Sequence, residues 1–392
     1  MNTRPAMPGV RSPTPALLRI SAAMFLSYLT IGLPLATLPL YVQQQLQLSD
    51  LMMGITVGSQ FISTLFSRGL AGRKADMAGG RQTVIMGQIY CAASGLLMLA
   101  CVQLSEVPVL AWCMLTTGRV LLGLGESFIL TGNLTWGMWL AGAASAGRVI
   151  SWNGMATYGA LAAGAPLGLM LYNHYDLSAL AIATLLLPPV GFLLTNGLPG
   201  NVPRPGLRYP VRKVILQVWR PGVGLVLQGI GFATLSAFAV LYFNEQGWRF
   251  AGFSMTLFGC AFIMVRLFFA HFPDKYGGLR VASCSLLIEG MGLLLFWSAS
   301  DCATALAGAA LTGCGCSLMF PSLGVEVVRR VSPESRGTAL GTWSAFQDLA
   351  YGMTAPLAGM LTPSIGYQPL FLIAAASALL GAATLKRLLA RD

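Results

Sequence analysis

A few ionisable side chains lie within long apolar stretches of the sequence. The acidic ones are Glu126, Glu289, Glu326 and Asp348, and the cation Arg119 precedes Glu126 by seven residues. A charge at the centre of a membrane helix costs about 3 kcal/mol on insertion scales, so such residues usually have a role. A carboxyl group in an apolar setting can exchange a proton near neutral pH. We therefore expect proton chemistry within the apolar region of this chain.

Arg119 and Glu126 fall on nearly the same face of a helix, about 10.5 Å apart along its axis. Such a pair could load and release a proton, because burial and a nearby cation act on a carboxyl group in opposite directions. A static ion pair that only fixes helix packing is the alternative. The spacing makes Arg119 and Glu126 candidates for proton coupling and leaves both interpretations open.

Asp348 has polar and aromatic neighbours, with Gln347 beside it and Tyr351 one helical turn later. Side chains of this kind suit the wall of a ligand cavity, so we expect Asp348 to contact a solute or a proton. Glu326 lies close to Arg329. A salt bridge at the membrane surface therefore explains Glu326 at least as well as a functional role does. Glu289 ranks below these acids as a functional candidate.

The composition is that of a membrane protein. Of the 392 residues, 55% are hydrophobic and 9% are charged, and the mean hydropathy is +0.70. Soluble domains carry about 25% charged residues, so an ordinary soluble enzyme is excluded. Twelve apolar runs are long enough to cross a bilayer: 17–42, 50–71, 82–103, 109–131, 149–172, 177–197, 221–243, 251–271, 281–300, 303–326, 337–361 and 368–389.

The distribution of charge predicts the topology. The net charge is +11, yet the cations stand singly between apolar runs and form no stripe that would suit nucleic acid. If the runs alternate from a cytoplasmic N-terminus, Arg249 is the single cation of the outer loops. This asymmetry predicts a multi-pass protein of the bacterial inner membrane with both termini in the cytoplasm.

Proline-rich segments divide the chain. Residues 1–16 read as a cytoplasmic tail, and residues 198–220 combine prolines with cations and read as a cytoplasmic linker. The linker separates two six-helix halves, which we place at 17–197 and 221–392.

The two halves share a repeated pattern. At a constant offset of 198 residues (266 − 68), an arginine is followed by a small residue, an aspartate and a glycine pair. The first copy is Arg68, Gly72, Asp76, Gly79 and Gly80, and the second is Arg266, Ala270, Asp274, Gly277 and Gly278. Matching loops in two halves are typical of a duplicated transporter, whose site lies between the repeats. Short cytoplasmic loops that merely favour Gly and Arg are the alternative.

The first copy of this pattern, continued to Arg81, resembles the signature loop of the major facilitator superfamily, with Met77 in place of the usual cation. The resemblance covers essentially the whole chain and is strongest to bacterial efflux permeases. It implies an all-α membrane fold of twelve helices in two pseudo-symmetric bundles. It also implies a conformational latch, which would comprise Gly72, Asp76, Gly79, Arg81, Asp274 and Gly277.

Two further stretches are similar to motifs of this family. The segment from Arg119 to Glu126 resembles its helix-4 motif, in which the arginine faces the cavity, although Leu122 replaces a glutamine. Gly164, Pro166 and Gly168 resemble the helix-5 motif of antiporters, with altered spacing. Ordinary packing of a glycine-rich helix is the alternative. Just upstream, three side chains could line a cavity: Trp152, Asn153 and Tyr158.

These observations predict a secondary transporter that moves a small organic solute by alternating access, and they favour outward movement in exchange for protons. Proton-coupled uptake and facilitated diffusion remain open. A membrane-embedded enzyme would need a cluster of reactive side chains, and the two histidines, His174 and His271, lie near membrane edges. We expect no cofactor and no metal site. The expected partners are a small-molecule substrate, protons and lipid, but no nucleic acid, and we expect a monomer.

Overall fold

The computed structural model describes residues 13–142, 146–200, 211–331 and 336–389. Most of the predicted tail and the centre of the predicted linker lie outside these residues. Within them, helix α1 begins at Pro13, inside the segment predicted as tail, and α7 begins at Val211, inside the segment predicted as linker. Both apolar helices therefore extend beyond the boundaries that their apolar runs suggested.

The described residues form helices joined by short turns, and a single π-helical turn, Tyr41–Gln45, follows α2. The α-helices are α1 Pro13–Leu35, α2 Leu38–Leu40, α3 Asp50–Ala78, α4 Gly80–Gln103, α5 Pro108–Ala141, α6 Ala146–Thr195, α7 Val211–Glu245, α8 Phe253–Phe269, α9 Phe272–Tyr276, α10 Gly278–Trp297, α11 Cys302–Ser317, α12 Met319–Arg329, α13 Arg336–Ile365 and α14 Gln368–Leu389.

The helices follow the twelve apolar runs with three differences. The fifth and sixth runs form one long helix, α6, which kinks where Asp176 takes a non-helical backbone conformation. The tenth run breaks at Leu318 into α11 and α12. The first run continues from α1 through α2 and the π-helical turn.

Eight helical stretches of the described chain are long and apolar enough to cross a membrane, and α8 is a shorter apolar helix. Helices α3 and α13 are not among the eight. They carry charged side chains at positions that face the interior of the protein, namely Arg68 and Asp348. The fold is therefore an all-α membrane architecture in which two of the more polar helices line the interior.

The repeat found in the sequence is also present in the backbone. Gly79 separates α3 from α4, and Gly277 separates α9 from α10. Their φ angles are 85° and 88°, a region that favours glycine. Each glycine donates its N–H to the carbonyl four residues earlier, that of Ala75 or Pro273, over 3.0 and 3.1 Å. The same helix-ending turn thus occurs once in each half.

Close helix packing depends on small residues. Helices α4 and α5 meet at Gly132, where a Cβ atom would lie 2.8 Å from the backbone oxygen of Gly80 and the backbone nitrogen of Val84. Without a hydrophobic driving force between helices inside a bilayer, such close backbone approach supplies much of the association. In contrast, a Cβ atom on Gly69 of α3 would have no neighbour within 4 Å.

We predict opposite effects of one substitution at these two glycines. Gly132→Ala forces α4 and α5 apart and should destabilise the fold by about 2 kcal/mol. Gly69→Ala, the matched control, should raise stability by up to about 1 kcal/mol because alanine is the better helix former. Unfolding in a sodium dodecyl sulfate titration measures both. Equal stability of the two variants would contradict this account of helix packing.

Candidate functional site

A cavity of about 180 Å³ lies between the two halves of the chain. Helices α1, α3, α5 and α6 form one wall, and residues of α7, α8, α11, α12 and α13 form the other. Four charged side chains line it: Arg68, Glu126, Arg266 and Asp348. The cavity therefore combines a mainly apolar wall with a few ionisable groups, the usual character of a small-molecule site.

An ion pair crosses this cavity from one half to the other. Arg68 of α3 binds Asp348 of α13 through two hydrogen bonds, one from Nη2 to Oδ1 at 2.9 Å and one from Nε to Oδ2. Both side chains are largely buried. A planar guanidinium matches a carboxylate in this two-bond geometry, and the low surrounding polarity strengthens the attraction. This pair joins α3 to α13.

Among the described residues, Glu126 has only neutral hydrogen-bond partners. Its Oε2 atom accepts a hydrogen bond from Gln60 Nε2 at 2.7 Å and another from Thr64 Oγ1 at 3.3 Å. Arg119 is fully buried, but its Nε and Nη1 atoms have no hydrogen-bond partner in the described chain, and it does not line the cavity. The described residues contain no ion pair between Arg119 and Glu126, because two helical turns separate them.

The remaining two acids of the apolar runs lie elsewhere. Glu326 accepts from Arg329 over 3.5 Å at the end of α12, as its neighbourhood predicted. Glu289 of α10 is completely buried away from the cavity wall, and its carboxyl oxygens have no partner among the described residues. Neither acid contacts the ion pair across the cavity.

Most of the predicted cavity residues line the cavity. Asn153 accepts from Asn133 over 3.0 Å, and Gln347 donates to the Tyr351 hydroxyl over 2.8 Å. Tyr158 stacks on Phe262 with ring centroids 3.7 Å apart.

Trp152 differs from the prediction: it packs against an apolar cluster that includes Trp136 and Val149, outside the cavity wall. The sequence offers no signal for this, because the rotation of a helix decides which neighbours of Asn153 face inward.

The predicted latch residues form two turns rather than a bonded network. Gly79 and Gly277 provide the turns described above. Asp76 and Asp274 are exposed and form no hydrogen bond or ion pair within the described residues. A Cβ atom on Gly72 would meet nothing within 4 Å, so this glycine is not at a close contact.

Arg81, the sixth predicted latch residue, lies beside Gly200, where an added Cβ atom would be 3.5 Å from its Cδ atom.

The helix-5 glycines pack against α1. A Cβ atom on Gly164 would lie 2.7 Å from Cα of Gly32, and one on Gly168 would overlap the backbone of Leu33. Pro166 lies near the start of α8, 3.1 Å from the Cβ position of Gly252. These contacts give the segment a packing role between α1, α6 and α8.

A second, more open groove of about 500 Å³ runs between α3, α5 and α13. Its walls consist of apolar and serine residues and glycines, with Phe66 as the aromatic residue, and contain no titratable group. Because it offers no group for charge or proton transfer, the cavity between the halves is the candidate site.

Polar contacts join the two halves at one end of the helix bundle. Gln43 donates to the Tyr367 hydroxyl over 2.7 Å and also to Asp50, and the Tyr367 hydroxyl bonds Asp50 over 3.2 Å. By helix alternation this end lies opposite both termini. We call Gln43, Asp50 and Tyr367 the polar clasp. It ties the first helical segment and α3 to the turn before α14.

Sequence comparison agrees with the architecture. The profile of the Major Facilitator Superfamily matches residues 20–254 and 222–392. The chain belongs to the major facilitator superfamily. It is 69% identical over 373 residues to an uncharacterized MFS-type transporter of Salmonella typhimurium, covering 95% of this chain and 96% of that protein. An uncharacterized MFS-type transporter of Burkholderia pseudomallei is 42% identical over 381 residues, covering 96% and 94%.

Solved structures show the same fold. The POT family transporter PepTSo superposes with a TM-score of 0.78 at 12% identity, covering 97% of this chain and 98% of that one. A D-xylose–proton symporter gives a TM-score of 0.77 at 14% identity, with coverage of 95% and 97%. The chain is thus a multi-pass membrane transporter of this superfamily and not an enzyme.

The ion pair across the cavity yields a second prediction. Arg68→Gln or Asp348→Asn alone leaves one buried charge unpaired and should destabilise the protein by about 3–5 kcal/mol. The double variant removes both charges and should recover about 2 kcal/mol of that loss. A double-mutant cycle in the detergent titration measures this coupling. Strictly additive losses would show that the two side chains do not stabilise each other.

Proposed function

We propose that this transporter exports a small organic solute across the bacterial inner membrane in exchange for protons, by alternating access. The observation that carries the proposal is Glu126: a carboxyl group on the cavity wall whose partners, Gln60 and Thr64, are neutral donors. Both termini lie in the cytoplasm in this proposal, and the working unit is a monomer.

Neutral partners suit a group that must change its protonation state. A carboxylate bound to a guanidinium loses a strong charge pair when it takes up a proton. Glu126 loses only the charge component of two hydrogen bonds when it takes up a proton. Glu126 can therefore load and release a proton at a small cost in structure, whereas Asp348 is bound to the guanidinium of Arg68.

The Arg68–Asp348 pair serves as the movable link between the halves 17–197 and 221–392. Rocking of one half against the other requires this buried pair, which joins α3 to α13, to open. A proton on Glu126 changes the field at this pair, because Glu126, Arg68 and Asp348 line the same cavity. The latch residues around Gly79 and Gly277 would set the balance between states from the cytoplasmic side.

Outward transport is supported by the resemblance of Gly164, Pro166 and Gly168 to the helix-5 motif of antiporters. Uptake with protons and facilitated diffusion are the alternatives. Transport across vesicles of known orientation distinguishes them.

The decisive experiment uses inside-out membrane vesicles that contain the overproduced protein. A proton gradient, acidic inside, should drive solute accumulation, and Glu126→Gln should abolish this accumulation while passive exchange survives. Glu106→Gln, an exposed acid outside the cavity, is the matched control and should behave as the native protein. A screen over sugars, drugs and amino-acid derivatives supplies the solute.

A well-folded Glu126→Gln protein with normal proton-driven accumulation would remove Glu126 from the mechanism. Uptake would instead be established by proton-driven accumulation that appears only in right-side-out vesicles and is lost when the proton gradient is reversed.

A further inference from the structure

The cavity contains a second arginine with a different environment. Arg266 occupies the position equivalent to Arg68 in the repeat, and 7% of its surface is exposed. Its Nη2 atom donates to the main-chain oxygen of Ser317, and its Nε atom has no partner among the described residues. Whereas Arg68 binds Asp348, Arg266 forms no ion pair in the described part of the chain.

The guanidinium of Arg266 forms part of the cavity wall. Gly154 of α6 lies close to it, since an added Cβ atom there would lie 3.5 Å from Nη1. Two aromatic side chains are also near: the guanidinium carbon lies 5.0 Å from the ring centroid of Phe262, which in turn stacks on Tyr158. The wall at this point presents a cation beside flat apolar surface.

Near Arg266, the positive charge of the cavity wall is not neutralised by an acidic side chain of the described residues. Arg68 and Asp348 neutralise each other, and Glu126 is bound by neutral donors on α3. A buried cation without an acidic partner is costly, and a ligand that brings a negative charge offsets that cost. A guanidinium with free N–H groups can bind a carboxylate through two parallel bonds.

We propose that the cavity binds a small organic anion that has a planar aromatic body, with its acidic group on Arg266 and its ring against Tyr158 and Phe262. This inference rests on the proposed function only in treating the cavity as the transport site. It fits outward movement, because an inside-negative membrane potential expels an anion by about 2.3 kcal/mol per 100 mV.

Equilibrium binding to the purified full-length protein tests this inference. The probes are 2-naphthoate, its neutral analogue 2-naphthamide and the cation 2-naphthylmethylammonium, measured by calorimetry at neutral pH. Naphthoate should bind at least ten-fold more tightly than the other two. Binding of the amide or the cation at equal or greater strength, or no binding of naphthoate to the native protein, would overturn the proposal.

Variants locate the anion. Arg266→Gln should weaken naphthoate binding at least ten-fold and leave naphthamide binding unchanged. Arg249→Gln, an exposed cation outside the cavity, is the matched control and should change neither. Unaltered naphthoate binding in Arg266→Gln would contradict the assignment.

If Arg266→Gln does not fold, two other variants test whether Arg266 binds the anion. Arg266→Lys keeps the charge without the planar fork and should weaken naphthoate binding several-fold. Gly154→Leu places a side chain over the guanidinium and should weaken naphthoate binding further. Native affinity in both would overturn the proposal.

Because binding is measured without a gradient, this test does not depend on proton coupling. Failed proton-driven transport with normal naphthoate binding would contradict the proposed function alone, and the reverse result would contradict this inference alone.

Discussion

The structure depends on one buried ion pair, between Arg68 and Asp348, at the boundary of the two halves. Two opposite charges inside a membrane protein are stable only when they meet with good geometry. This requirement fixes α3 against α13, and it explains why these two helices are more polar than their neighbours. It also places the cavity, since the pair forms part of its wall.

The repeat in the sequence has diverged in chemistry but not in backbone geometry. Gly79 and Gly277 end helices in the same way, and each half carries an arginine at the equivalent position. Arg68 binds an acid from the opposite half, whereas Arg266 binds a main-chain carbonyl at the break between α11 and α12. One arginine thus connects the halves, and its counterpart has no acidic partner among the described residues.

Much of the architecture follows from sequence alone. Apolar runs of sufficient length must become helices, because a bilayer leaves backbone groups no other partners. The repeat and the membership of the superfamily follow from the spacing of Gly and Asp around Asp76. Asn153, Tyr158, Gln347 and Tyr351 lie on the cavity wall, and their role in binding a solute stays a prediction.

The choice of charge partners does not follow from sequence. The spacing of Arg119 and Glu126 suggested a pair, yet Glu126 binds Gln60, and Asp348 binds an arginine 280 residues away. Which faces of α3, α5 and α13 meet depends on packing across the whole bundle. For the same reason Trp152 faces an apolar cluster, although its neighbour Asn153 faces the cavity.

The central claim is that the Arg68–Asp348 pair holds the two halves together across the cavity. Spin labels at Gln47 and Ser364, both exposed and close in sequence to residues of the polar clasp, report the separation of the halves in a background without native cysteines. The native protein should give one short distance, and Arg68→Gln should add a population in which the labels are farther apart. An unchanged distance distribution in a folded Arg68→Gln protein would contradict the account.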